Sequence, residues 1–78
     1  MNLEINIRQV NGVNKKNSKP FLKVLIGGNF QLIEGKNSDF YIPLLNKKQA
    51  ERLAKKIKEV KINEKKCYEV EIKQHFDY

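Results

Sequence analysis

The sequence predicts a two-layer α+β domain, in which one helix packs on one face of an antiparallel sheet. Several short segments alternate apolar and polar residues, which is typical of half-buried strands. One later segment instead carries apolar residues at helical spacing. The chain has 78 residues, enough for one hydrophobic core, so we expect a single domain over residues 1–78. The expected order along the chain is β-β-β-β-α-β.

The amino-terminal half predicts four strands. The first covers residues 3–10 and ends at Asn11-Gly12, a turn signal. Residues 11–20 are rich in turn-forming residues and predict a long, exposed hairpin loop. Strands are then expected over residues 21–26, 30–34 and 40–44, with turns over residues 27–29 and 35–39. Pro43 favours an edge position or a strand end for the fourth strand.

The carboxyl-terminal half predicts one helix and a closing strand. Asn46 is a good N-cap, and Gln49 three residues later completes a capping-box pattern. The helix is expected over residues 47–60, with an apolar stripe of Ala50, Leu53, Ala54, Ile57 and Val60. Residues 67–76 alternate again and predict the last strand.

These patterns predict which residues form the core. On every strand, one set of alternating apolar residues should face the helix. The predicted core contains Leu3, Ile5, Ile7, Leu22, Val24, Ile26, Phe30, Leu32, Phe40, Ile42, Leu44, Leu53, Ile57, Val70 and Ile72.

The sequence offers little material for catalysis. Cys67 and His75 are the only residues of their types, so they provide neither an intramolecular disulfide nor four zinc ligands. Eight residues apart on one strand, they would lie roughly 26 Å from each other, too far to exchange a proton. No glycine-rich phosphate loop is present. We therefore expect a protein that is not an enzyme and uses no cofactor and no metal.

The chain also lacks the signals of a membrane or exported protein. No apolar run approaches the roughly 18 residues that a membrane span needs. The segment Met1-Asn2-Leu3-Glu4 does not resemble the start of a signal peptide. A single cysteine fits a reducing compartment. We expect a cytoplasmic protein with no membrane partner.

Positive charge is concentrated around the predicted helix. The formal net charge is +7, and residues 46–66 hold nine basic and three acidic side chains. Such a surface could follow the phosphates of a nucleic acid. The alternative is that it is only the solvated side of an amphipathic helix, and the scarcity of arginine weakens base recognition. The candidate nucleic-acid-binding residues are Lys15, Lys16, Lys19, Lys48, Arg52, Lys55 and Lys56.

The second face of the predicted sheet suggests a protein partner instead. Four of its residues are more apolar than an exposed face requires: Phe21, Leu25, Ile33 and Tyr41. They could bind another protein or join two copies of this chain as a homodimer. The alternatives are that the long loop covers them or that they are scattered exposed residues without a role.

Two resemblances add to this interpretation. The run Ile33-Glu34-Gly35-Lys36-Asn37, followed by Phe40 and Pro43, resembles a stretch of the stage V sporulation protein G family. The opening segment over residues 5–10 also resembles the first strand of that family. The resemblance implies a small, dimeric, β-rich DNA-binding protein. In layout, the whole chain is similar to small phage-encoded proteins of the anti-CRISPR kind, which bind a host defence complex.

The sequence therefore predicts a small, non-catalytic binding protein. Its partner would be DNA, RNA or a nucleoprotein complex, engaged through the basic helix face and the hairpin loop. The alternative is a phage-encoded inhibitor that binds a host defence protein through the apolar sheet face.

Overall fold

The computed structural model describes residues 2–13 and 15–74, and the side chains of Lys15 and Ser38 lie outside that description. Two helices are present, α1 (Lys15–Ile26) and α2 (Lys47–Lys58), with a short 3-10 turn at Lys36–Ser38. The strands are β1 (Leu3–Gln9), β2 (Ile33–Glu34), β3 (Phe40–Leu45), β4 (Lys61–Ile62), β5 (Lys65–Lys66) and β6 (Tyr68–Gln74). The last two residues of the predicted closing strand, His75 and Phe76, lie outside the described residues.

Four strands form one antiparallel sheet in the order β2-β3-β1-β6. Ile5 of β1 lies between Ile42 and Ile72, and its neighbours in register therefore point to the same face. Residues of both helices join these strands in a single buried cluster. The predicted two-layer α+β class is confirmed, but the second layer contains two helices rather than one.

Helix α1 is the main difference from the prediction. Residues 11–20 are not a long hairpin loop and residues 21–26 are not a strand, because α1 covers both regions from Lys15 onward. Leu22, Val24 and Ile26 alternate as in a strand, but Leu22 and Ile26 are also one helical turn apart. Leu22 and Ile26 are buried, whereas Val24 is 83% exposed. Pro20 lies inside the helix.

The glycines after α1 mark the end of the helix, whereas the sequence predicts a turn between two strands there. Gly27 has a φ of +87°, the left-handed conformation that commonly follows the last helical residue. Its N–H donates to the carbonyl of Lys23, at 3.2 Å. The strand expected over residues 30–34 is reduced to β2, which pairs only with Phe40 and Tyr41.

Strand β3 contains a bulge that reverses its alternation. Leu3 pairs with Leu45 and Ile5 pairs with Ile42, so β3 holds one residue more than β1 between the same two positions. Leu44 takes up the extra length with a φ of +61°. As a result Leu45 is fully buried and Leu44 is 54% exposed. Strand β3 lies inside the sheet, but β2 pairs only with Phe40 and Tyr41, so Pro43 has no strand partner on that side and lies locally at an edge, within the bulge that faces β1.

Helix α2 confirms the predicted cap. The Gln49 N–H donates to Asn46 Oδ1 at 2.8 Å, and the Asn46 N–H donates to Gln49 Oε1 at 3.0 Å. The helix ends at Lys58, two residues earlier than expected. Lys56 Nζ donates to the Leu25 carbonyl at 3.4 Å and so joins the end of α1 to α2.

The core agrees in large part with the prediction. The prediction that Val24, Leu44 and Ile72 belong to the core is wrong, since each is exposed. Leu3, Phe30, Leu32 and Val70 are partly buried at its border. The buried hydrophobic residues are Ile5, Ile7, Leu22, Ile26, Phe40, Ile42, Leu45, Ala50, Leu53, Ala54, Ile57, Cys67 and Tyr68.

Candidate nucleic-acid interface

A short hairpin, β4–β5, follows α2. Ile62 pairs with Lys65, and the two residues between them, Asn63 and Glu64, both have positive φ angles, of 52° and 65°. Positive φ at both central positions is the type I′ turn, whose twist suits a two-residue hairpin. All six residues from 61 to 66 are exposed. The hairpin therefore contributes its side chains to the surface and not to the core.

Two lysines face each other across the hairpin and destabilise it. Lys61 lies directly opposite Lys66, and like charges in this position destabilise a strand pair. Ile62 is 63% exposed. The base of the hairpin is held by the Cys67 N–H, which donates to the Val60 carbonyl at 3.2 Å. A polyanion bound at the hairpin would offset the repulsion between the two lysines.

The last turn of α2 lies beside the hairpin. Lys55, Lys58 and Lys61 line one open cleft, together with Glu51 and Glu59. Residues 55–66 hold six lysines and two glutamates, a net charge of +4 within twelve residues. We call this surface the basic end, defined by Lys55, Lys56, Lys58, Lys61, Lys65 and Lys66.

The helix-free face of the sheet has the opposite charge. Its ionisable residues are Glu4, Arg8, Asp39, Glu69, Glu71 and Lys73, with a net charge of −2. Arg8 and Glu69 are cross-strand partners and form an ion pair between exposed side chains. The excess of positive charge is therefore on the helix and hairpin side of the molecule.

The structure places the predicted nucleic-acid-binding residues in three regions. Lys16 and Lys19 are exposed on α1 rather than on a hairpin loop, and the side chain of Lys15 lies outside the described residues. Lys55 and Lys56 belong to the basic end. Arg52 is exposed in the middle of α2, and Lys48 is exposed near its start, seven residues before Lys55 and therefore about 10 Å away along the helix.

Four residues of the basic end were not among the predicted site residues: Lys58, Lys61, Lys65 and Lys66. Three of them lie on the hairpin, whose signal is weak because each strand has two residues, too short for alternation to be visible. The turn residues are Asn63 and Glu64, whereas the usual type I′ sequence has glycine second.

The four predicted protein-interaction residues do not share a face. Phe21 and Leu25 are on α1, so their expected place on the second sheet face is wrong. Ile33 and Tyr41 are neighbours on the helix-free face. The Tyr41 ring lies over Gly35, where a Cβ atom would overlap it. The apolar sheet face inferred from the sequence is therefore divided between two surfaces.

An apolar groove separates α1 from the hairpin. Its lining includes Val13, Phe21, Val60 and Ile62, with Tyr68 among its other residues. Phe21 is 45% exposed there. The groove places apolar surface beside the lysines of the hairpin, which is a combination that nucleic-acid-binding proteins use.

A buried hydroxyl pair joins α1 to β6 next to this groove. The Tyr68 hydroxyl donates to Ser18 Oγ at 3.1 Å, and Ser18 is 1% exposed. Burial raises the pKa of Tyr68 above its ordinary value of 10.0; the hydrogen bond to Ser18 lowers it in part, and Cys67 nearby adds to the increase. The phenol is therefore neutral at physiological pH and serves packing.

Within residues 2–13 and 15–74, no group of three or more His, Cys, Asp or Glu side chains is arranged to hold a metal ion. No helix in the described part of the chain is long and apolar enough to cross a membrane.

Comparisons with family models, with curated proteins and with solved structures found no match. The resemblances to the stage V sporulation protein G family and to anti-CRISPR proteins therefore stay predictions.

Proposed function

We propose that this protein binds nucleic acid through the basic end, with the β4–β5 hairpin as the principal contact. One observation carries the proposal. The last turn of α2 and the hairpin carry six exposed lysines and two exposed glutamates within twelve residues, and three of these lysines, Lys55, Lys58 and Lys61, line one cleft. The helix-free sheet face is net negative. A polarised distribution of this kind orients the molecule toward a polyanion and increases the association rate.

The favoured ligand is double-stranded DNA. A two-stranded ribbon has the width of the B-DNA major groove, whereas the major groove of an RNA duplex is too narrow for side chains to enter. Lys61, Lys65 and Lys66 would contact phosphates. The exposed Ile62 would meet base edges, where an aliphatic side chain can contact thymine methyl groups.

The binding should depend weakly on sequence. Lysine acts as a point charge toward phosphate and lacks the bidentate geometry by which arginine recognises guanine. Only one arginine, Arg52, lies near the basic end, on α2 three positions before Lys55. We therefore expect affinity that comes mostly from phosphate contacts and falls steeply with salt.

The alternative inhibitor function has less support. It needs a contiguous apolar sheet face, but Phe21 and Leu25 are separated from Ile33 and Tyr41. Binding to a host defence protein would then have to use the basic end or the apolar groove, and it would appear as an interaction that nuclease treatment does not remove.

The experiment is a fluorescence anisotropy titration of labelled duplex DNA at several salt concentrations. The test variant is Lys65→Gln with Lys66→Gln, which removes two positive charges without creating repulsion. Each lost phosphate contact should reduce the slope of log K against log salt by about 0.9, so the double variant should lose about 1.8. A duplex RNA of the same sequence should bind more weakly.

The matched control is Lys36→Gln with Lys47→Gln. Both control lysines are exposed and outside the basic end, so this variant has the same net charge as the test variant. Equal loss of affinity in the two variants would mean that only net charge matters. Absence of DNA binding by the unmodified protein at low salt would refute the proposal.

A further inference from the structure

Strand β6 forms an open edge of the sheet. It pairs with β1 in seven consecutive positions without a bulge, and no strand of the described residues lies on its other side. It contains no proline. A regular edge of this length presents a row of N–H and C=O groups to which another strand can pair.

Helix α2 packs against β6 on the helix side of the sheet, but it leaves part of this strand exposed. Ile72 points to the helix side of the sheet but is 40% exposed, and it lines an apolar groove with Leu3 and Ala50. A strand added beside β6 would therefore find space next to Ile72, and its own apolar residues would complete the groove.

We propose that β6 pairs antiparallel with β6 of a second copy, with the two-fold axis at Ile72. A symmetric pair of this kind makes the same contacts twice, and it would extend the sheet across both copies. This surface adjoins the basic end, because Ile72 lines the same cleft as Lys55 and Lys58, but the pairing of β6 does not depend on nucleic-acid binding.

The charges on β6 select this register. With Ile72 opposite Ile72 of the second copy, each Glu71 lies opposite a Lys73 and two attractive pairs form. With Glu71 at the axis, two glutamates face each other, although Glu69 then lies opposite Lys73 twice. With Val70 at the axis, Glu69 faces Glu71 twice. Only the first of these three registers places no like charges opposite each other.

The two charged residues are available for such contacts. Glu71 and Lys73 are both exposed, and their nearest charged atoms, Glu71 Oε2 and Lys73 Nζ, lie 4.0 Å apart along the strand. An exposed pair of this kind contributes little to the stability of one copy, so exchanging it for cross-strand partners costs little.

The test is sedimentation equilibrium of the purified protein over a range of concentrations. Glu71→Lys alone and Lys73→Glu alone should each raise the dimer dissociation constant by about tenfold or more, because both attractive pairs become repulsive. The double variant Glu71→Lys with Lys73→Glu restores opposite charges in this register and should dimerise like the unmodified protein. In the register with Glu71 at the axis, it would not.

The control is Glu34→Lys, which makes the same charge change as Glu71→Lys on an exposed residue of β2, at the opposite edge of the sheet. It should leave the dissociation constant unchanged. Circular dichroism verifies that each variant is folded. A protein that stays monomeric at all concentrations, or a double variant that does not recover dimerisation, overturns the proposal. DNA binding by a monomer would leave the proposed function intact.

Discussion

The bulge in β3 makes a sharp prediction about two adjacent leucines. A regularly alternating strand would bury Leu44 with Phe40 and Ile42. The bulge instead buries Leu45 completely and leaves Leu44 54% exposed. Replacing each leucine separately by alanine removes the same three carbon atoms from neighbouring positions, so the two variants differ only in their surroundings.

The expected costs differ several-fold. Leu45→Ala leaves a cavity in the core and should lower the free energy of unfolding by about 2–5 kcal/mol. Leu44→Ala removes a side chain that is already half in water and should cost less than about 1 kcal/mol. Alanine retains a Cβ atom, so the left-handed φ of 61° at this position remains unfavourable in the variant.

Glycine at position 44 extends the same test. Alanine is ordinarily the better residue in a strand because it restricts the unfolded chain more than glycine does. At a φ of 61° the order should reverse, since glycine avoids a penalty of about 1–2 kcal/mol. We therefore expect Leu44→Gly to be more stable than Leu44→Ala.

The assay is urea denaturation followed by far-ultraviolet circular dichroism, because the chain has no tryptophan for fluorescence. The midpoint should fall clearly for Leu45→Ala and little for Leu44→Ala, with similar slopes. A larger loss for Leu44→Ala would show that β3 alternates regularly and that the bulge is misplaced.

Three further predictions concern caps, hydroxyls and a close contact. Asn46→Ala should lower the free energy of unfolding by about 1 kcal/mol through loss of the capping box, whereas Asn46→Asp keeps a capping side chain and should retain most of that stabilisation. Tyr68→Phe should cost about 1 kcal/mol at neutral pH by removing the hydrogen bond to Ser18. The pKa of Tyr68 is higher in the folded state, so as the pH rises past 10.0 this phenol ionises first in the unfolded chain. The unmodified protein should therefore lose stability as the pH rises through this range. In urea denaturation at alkaline pH, Tyr68→Phe should lack this loss. Gly35→Ala should cost about 1–3 kcal/mol by displacing the Tyr41 ring, and a double-mutant cycle with Tyr41→Ala should remove most of that cost.

Helix α2 was predictable because its signals agree with each other. Asn46 and Gln49 mark its start, and four buried residues follow at helical spacing. The closing strand was predictable for the same reason, since its alternation extends over a full strand. Local pattern and tertiary environment lead to one answer in both elements.

Helix α1 was not predictable because its local signals conflict. Pro20 inside the helix and the asparagines before it indicate a turn. The apolar pattern of residues 21–26 fits both the two-residue period of a strand and the period of a helix. The spacing of Ser18, Leu22 and Ile26, four residues apart, is the helical signal, but a serine in the core is only understandable once Tyr68 is seen beside it. Long-range contacts decide this segment.

The candidate site was only partly predictable. The charge around α2 is visible in the sequence, but the hairpin that projects three lysines depends on a two-residue turn without glycine. A sequence pattern also does not show which end of a helix lies beside another basic element, so it could not separate Lys48 from the lysines next to the hairpin.

Lys66→Glu tests the central claim most directly. The substitution places a glutamate opposite Lys61, so the repulsion across the hairpin becomes an attraction. If the basic end binds DNA, the variant should unfold at the same or a higher urea concentration than the unmodified protein while binding duplex DNA clearly more weakly at the same salt concentration. Unchanged affinity in a folded Lys66→Glu variant would contradict the account.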